Sequence, residues 1–125
     1  MRAAMAIGFL ALSVLAPAAW AEETTATAVV CTGVENRTPQ GEGKEFPATV
    51  GQLFCFSEVK NAQGSVTHVW FYGDKEVARV ELAAKGPRFR TWSKKRIVPS
   101  QTGSWRVEVH ASDGTLLAEA RFEIK

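Results

Sequence analysis

Between Gly103 and Lys125 the apolar residues recur on a period of two, which a helix of 3.6 residues per turn cannot present on one face. Trp105, Val107 and Val109 fall on one side, and Arg106, Glu108 and His110 on the other. Ser112-Asp113-Gly114-Thr115 supplies turn chemistry. Beyond it Leu116, Ala118, Ala120, Phe122 and Ile124 share a face opposite Leu117, Glu119, Arg121 and Glu123. The segment predicts a β-hairpin with one buried and one wet face.

Upstream the same chemistry continues without a sustained helical period. Strands are expected over Thr27–Val34, Thr49–Val59, Val66–Tyr72 and Lys75–Leu82, with one or two short ones between Arg88 and Val98. Gly73-Asp74 reads as a two-residue hairpin turn. Asn61–Ser65, Lys85-Gly86-Pro87 and Pro99 read as breaks, and Glu35–Pro47 as a polar loop. With 46% hydrophobic and 22% charged residues in 125, the chain has the composition of one folded unit. The expectation is all-β: a single antiparallel, immunoglobulin-like β-sandwich of about seven strands over residues 27–125, with a small closed barrel as the competing architecture.

Met1–Ala21 has the order of a secretory signal: one charge at Arg2, an apolar run from Ala3 to Val14 and Leu15, a break at Pro17, and Ala19-Trp20-Ala21. The run is shorter than the roughly 20 residues that span a bilayer, so the alternative of an uncleaved anchor is the weaker fit. Residues 1–21 are therefore expected to be removed, residues 22–26 to form a flexible mature end, and the mature chain to carry no transmembrane segment. The style of the leader points to a bacterial periplasm or exterior. An oxidising compartment makes Cys31 and Cys55 a candidate disulfide, closing a loop of about 24 residues worth on the order of 3 kcal/mol. The other reading is two small buried thiols on neighbouring strands.

His68-Val69-Trp70, Arg88-Phe89-Arg90-Thr91-Trp92-Ser93-Lys94-Lys95, Gly103-Ser104-Trp105-Arg106-Val107 and Gly114-Thr115-Leu116-Leu117 with Phe122 occur in that order. They resemble a bacterial family known as domain of unknown function 2914. Thr32-Gly33-Val34-Glu35-Asn36-Arg37-Thr38-Pro39 and Leu53-Phe54-Cys55-Phe56-Ser57-Glu58-Val59 look like its opening strands. The resemblance implies a sandwich-like extracytoplasmic domain with no established activity. Both cysteines depart from the family's pattern, so the disulfide rests on the compartment argument.

Charge is nearly balanced, fifteen Lys and Arg against thirteen Asp and Glu, with one of the basic residues in the leader. That gives no support to nucleic acid as a partner. The asymmetry is local: Lys85, Arg88, Arg90, Lys94, Lys95, Arg96 and Arg106 form a stretch without an acidic residue. Arg88, Arg90 and Trp92 share a strand face and offer guanidinium forks above an indole, a surface for an anionic glycan, an envelope polymer or an acidic protein partner. The alternative is a solvated charged face paired with Glu76, Glu81 and Glu108. His68, Trp70 and Tyr72 also share a face, either a stacking platform or the core Trp of a sandwich with a satisfied histidine. Serines are present with His68 and His110, but no G-x-S-x-G context selects a nucleophile, and no paired spacing makes Cys31, Cys55, His68 and His110 a metal site. The expectation is an exported, non-enzymatic binding module without a cofactor. Its ligand set is Arg88, Arg90, Trp92, Lys94, Lys95, Arg96, His68 and Trp70. The alternatives are an envelope assembly domain using an exposed edge strand, with Lys75–Leu82 the candidate edge, and a small hydrolase.

Overall fold

The computed structural model describes residues 23–125; the expected signal peptide lies outside them. Among the described residues there are eight strands and no helix. They are β1 (Thr25–Cys31), β2 (Gly33–Glu35), β3 (Thr38–Gln40), β4 (Glu45–Phe46), β5 (Gln52–Tyr72), β6 (Lys75–Arg96), β7 (Gly103–Ala111) and β8 (Leu116–Ile124). The all-β expectation holds, while the strand inventory differs from seven short strands.

The difference lies at the two expected breaks. β5 and β6 pair antiparallel along their whole length, and the ladder runs through Asn61–Ser65 on one strand and Lys85–Pro87 on the other. The breakers face each other: Lys60–Arg88 and Ala62–Gly86 flank the one step that holds Asn61 and Pro87, and Gly64 pairs with Ala84 two steps on. Proline has no N–H to give, and Asn61, Gly64 and Gly86 adopt positive φ. Matched irregularities in two paired strands distort both in register instead of ending either.

On its other edge β5 is shared. Its first half pairs with β1, from Thr25 opposite Lys60 to Cys31 opposite Phe54. Its second half pairs with β7, from Val66 opposite Ala111 to Tyr72 opposite Trp105. β7 continues to β8, and β4 adds a short parallel pair at the end of β8. The sheet curls so that β1 lies against β8 without a ladder between them. Thr25 and Ala26 already pair in β1, so the ordered domain begins earlier than the expected flexible end at residue 26.

The curl encloses one main core. Val30, Leu53 and Cys55 come from the first half, and Trp70, Trp105, Val107, Phe122 and Ile124 from the second. Phe122 is its hub, edge-on to Phe46 and Trp70 and stacked with Trp105 at 5.7 Å. Such ring pairs add about 0.5–1.5 kcal/mol each beyond the area they bury. A second cluster of Val59, Ala62, Val66, Ala84 and Val109 fills the region of the matched irregularities.

Two bulges reset which side chains point inward. In the closing hairpin Val109 pairs with Ala118 but His110 with Leu116, so Leu117 is the extra residue. Leu117 turns toward the second cluster, and Leu116, expected inside, is 53% exposed. In the β5–β6 hairpin Trp70 pairs with Ala78 and Phe71 with Glu76, leaving Val77 as the extra residue. The predicted Gly73-Asp74 turn closes that hairpin, with Gly73 at φ 60°.

Candidate functional site

The register decides which predicted residues meet. Lys60, Glu58, Phe56, Phe54 and Gln52 of β5 lie opposite Arg88, Arg90, Trp92, Lys94 and Arg96 of β6, and cross-strand partners share a face. These residues lie on the outer side of the first half by parity; Phe56 is nevertheless buried, at 7% exposure, and Trp92 is half-buried. Phe56 and Trp92 stack at its centre, 6.0 Å apart and 9° from parallel. Five of the expected ligand residues (Arg88, Arg90, Trp92, Lys94 and Arg96) are therefore neighbours.

The other three are elsewhere. Lys95 alternates to the opposite side of β6, facing Leu53, where its Nζ donates to the Arg96 carbonyl at 3.1 Å. His68 and Trp70 have no exposed surface. A ring without accessible surface stacks on no ligand, so the platform reading of this pair is replaced by the core reading. Tyr72 lies at the edge of that core, against Trp105 at 5.0 Å, its hydroxyl donating to the Thr102 carbonyl at 2.7 Å.

The hairpin of β2 and β3 completes the outer face. Its two-residue turn, Asn36-Arg37, holds both φ angles positive, at 49° and 57°. Arg37 Nη2 donates to the Arg90 carbonyl and Arg90 Nη1 donates to the Arg37 carbonyl, each at 3.1 Å. The Arg37 guanidinium sits 5.9 Å from the Phe89 ring centre and 6.0 Å from that of Trp92, within cation–π range. Arg88 forms an ion pair with Glu58 through Nε and Oε2, with a second, longer contact at 3.4 Å. The Arg88 hydrogen bond, with Arg88, Lys60 and Arg90 charges around it, holds the Glu58 carboxyl below its ordinary range. Lys60, Lys94 and Arg96 are exposed, and Glu58 is the one carboxylate among the outward-facing residues of β1, β5 and β6 in this half. Glu58 and Phe56 lie in the strand expected over Thr49–Val59, whose facing was not read, and Lys60 just past its end; Arg37 arrives from a region read as loop and left no signal.

The seventh basic residue of the acid-free stretch belongs to the other half and is neutralised there. Arg106 Nε lies 2.9 Å from Glu108 and 3.6 Å from Glu119, with its guanidinium 3.9 Å above the Phe71 ring. His110 Nε2 meets Glu108 at 2.8 Å. The two outer faces thus differ: one is ion-paired, the other carries surplus positive charge.

Inside, a chain of hydrogen bonds links the halves. Trp70 Nε1 donates to Ser93 Oγ at 3.1 Å, Ser93 Oγ lies 2.7 Å from His68 Nδ1, and His68 Nε2 lies 2.7 Å from Ser57 Oγ. An indole only donates, so Ser93 accepts from Trp70 and has its own proton for Nδ1. In the Nε2–H tautomer of His68 this chain closes with His68 donating to Ser57, and Ser57 in turn reaches Cys55. Burial lowers the His68 pKa to about 4, so the ring is neutral. Both ring nitrogens are occupied by hydroxyls and no carboxylate orients the imidazole, unlike a hydrolytic triad.

Cys31 and Cys55 are free and buried. This corrects the expected disulfide, and the register gives the reason. Cys31 lies opposite Phe54 and Val30 opposite Cys55, so the two thiols leave opposite faces of the β1–β5 pair. Burial pushes the Cys55 thiol up to about 12 and raises that of Cys31. Among the described residues no three His, Cys, Asp or Glu side chains gather as a metal site, and no helix is long and apolar enough to cross a membrane. A cleft of about 450 Å³ opens where β1 and β8 face each other, lined by Ala28, Val30, Lys44, Glu119 and Arg121 among others. Its charges are of both signs, and it lies apart from the basic face.

The fold and this face together define an all-β domain with a basic outer face in which the half-buried Trp92 lies over the buried Phe56. Residues 63–124 match the family described as "Protein of unknown function (DUF2914)", and over that stretch the chain belongs to it. The matched stretch covers β5 from Gln63 onward, β6, β7 and β8; the opening motifs at residues 32–59 lie before it. No curated protein matches the chain.

Proposed function

We propose that the protein is an exported, non-enzymatic binding module that recognises an anionic polymer, such as an acidic glycan or envelope polymer, on the outer face of β5 and β6. The observation that carries this reading is the surplus of positive charge: Glu58, the one outward carboxylate of β1, β5 and β6 in this half, stands among Lys60, Arg88, Arg90, Lys94 and Arg96, with Arg37 adjoining, around the half-buried Trp92. Fixed guanidinium groups beside an aromatic surface suit a chain of carboxylates or phosphates. The curled sheet is, in this reading, a sandwich whose layers share β5 and β6, around the buried Trp70.

Arg88 and Arg90 hold Glu58 and Arg37, so charge is better removed at Lys60, Lys94 and Arg96. The triple variant K60Q/K94Q/R96Q is compared with the wild type on alginate and neutral dextran. Wild-type binding to alginate that weakens with salt, falls about tenfold or more in the variant at unchanged Tm, and is absent on dextran supports the reading. Wild-type binding that is absent, equal on dextran, or unaltered by the three substitutions refutes it.

A further inference from the structure

We propose that two copies of this chain associate through the free edge of β6, antiparallel and centred on Val80, so that one sheet continues across a twofold axis. β6 is bonded to β5 on one side along its length, and among the described residues no other strand pairs with it. Its outer edge is guarded in places. Arg37 caps the Arg90 carbonyl, Pro87 removes a donor, and the Val77 bulge disturbs the opposite end. Between those guards Ala78–Gly86 has neither proline, nor bulge, nor an inward-pointing charge: its inward residues are Ala78, Val80, Leu82 and Ala84. An open strand of this length is a template for another.

The occupant is argued from charge. The outward residues of the stretch include Arg79 and Glu81, and Glu81 is exposed with no side-chain bond among the described residues. With Val80 opposite Val80, Arg79 of each copy faces Glu81 of the other, giving two ion pairs from one symmetric register. Inside, Ala78 meets Leu82 twice, matching small to large. Registers centred on Arg79 or Glu81 set like charges opposite each other, and a shift by one residue sets inward side chains against outward ones. Lys75 lies beyond the Val77 bulge, which ends the ladder before it reaches Lys85. Arg79 now binds Glu76 at 2.9 Å with its side chain 58% exposed, an exchangeable surface contact. This inference is independent of the ligand reading.

The test is sedimentation equilibrium of the purified protein up to about 100 µM, a range that detects the weak association expected of one short strand pair. R79E and E81R each place like charges opposite, and the double variant R79E/E81R restores attraction. Dimerisation of the wild type, loss of at least about tenfold in each single variant and recovery in the double variant are expected. Circular dichroism confirms that each variant is folded. A wild type monomeric throughout the range overturns the proposal. So does a dimer indifferent to both reversals, or a double variant no better than the singles. If a single variant fails to fold, hydrogen exchange on the wild type decides: concentration-dependent protection confined to residues 78–84 supports the pairing, and its absence refutes it.

Discussion

His68 should make the domain acid-labile well above the pH at which carboxylates titrate. In the unfolded chain its pKa is the ordinary 6.5, and in the fold burial lowers it to about 4. Between those values the unfolded state binds the proton and the folded state resists it, so stability is full above pH 6.5 and declines as the pH falls toward 4. A separation of about 2.5 units corresponds to about 3 kcal/mol at 1.36 kcal/mol per unit, of which about 2 kcal/mol is lost by pH 5. The geometry agrees. A protonated ring donates from both nitrogens, so Ser93 would have to accept from His68 and Trp70 together while its own proton loses its acceptor. Urea unfolding followed by tryptophan fluorescence at pH 7.5, 6.5, 6 and 5 measures the slope, and the carboxylates held low by their partners, Glu58, Glu76, Glu108 and Asp113, weigh on stability mainly at more acid pH. The variant H68Q should be less stable at pH 7.5 but nearly flat from 7.5 to 5. A wild-type profile that is flat over this range, or a variant with the same slope, would show that His68 is not the group responsible.

Two further outcomes follow from the core. Leu117→Ala should cost about 1–2 kcal/mol because it removes a partly buried side chain, whereas Leu116→Ala should change stability by less than about 0.5 kcal/mol; thermal unfolding compares them, and the reverse order would refute the assigned bulge. Neither cysteine should react with a thiol reagent in the native protein and both should do so in denaturant without reductant; a mass two hydrogens lower before reduction would show the disulfide instead.

Alternation made the strands legible, and it did so where one face is wet: Trp105, Val107 and Val109 lie inside as read. It failed only at the bulge, where Leu117 takes the inward place expected of Leu116 while Ala118, Ala120, Phe122 and Ile124 keep their face, and nothing in Gly114-Thr115-Leu116-Leu117 announces the insertion. Breakers were misread for a related reason. Asn61, Gly64, Gly86 and Pro87 have the chemistry of loops, but whether they end strands or distort them depends on their lying opposite one another, which is a property of the register. The basic face was half legible: Arg88, Arg90, Trp92, Lys94 and Arg96 alternate along one strand, while Glu58 and Lys60 reach them across the ladder and Arg37 from another hairpin. His68 and Trp70 were drawn toward the ligand by their chemistry and belong to the core by their parity.

The uninterrupted course of β5 and β6 ties the two ends of the molecule into one cooperative unit. The family match opens at residue 63, partway along β5, so that position divides a sequence alignment and not a folding unit. A polypeptide beginning there would forfeit Leu53, Cys55 and Ser57, leaving half of β6 with nothing to zip against and His68 facing a void. The smallest autonomous piece of this architecture therefore reaches back at least to Gln52, and the alignment boundary should not be used to trim it.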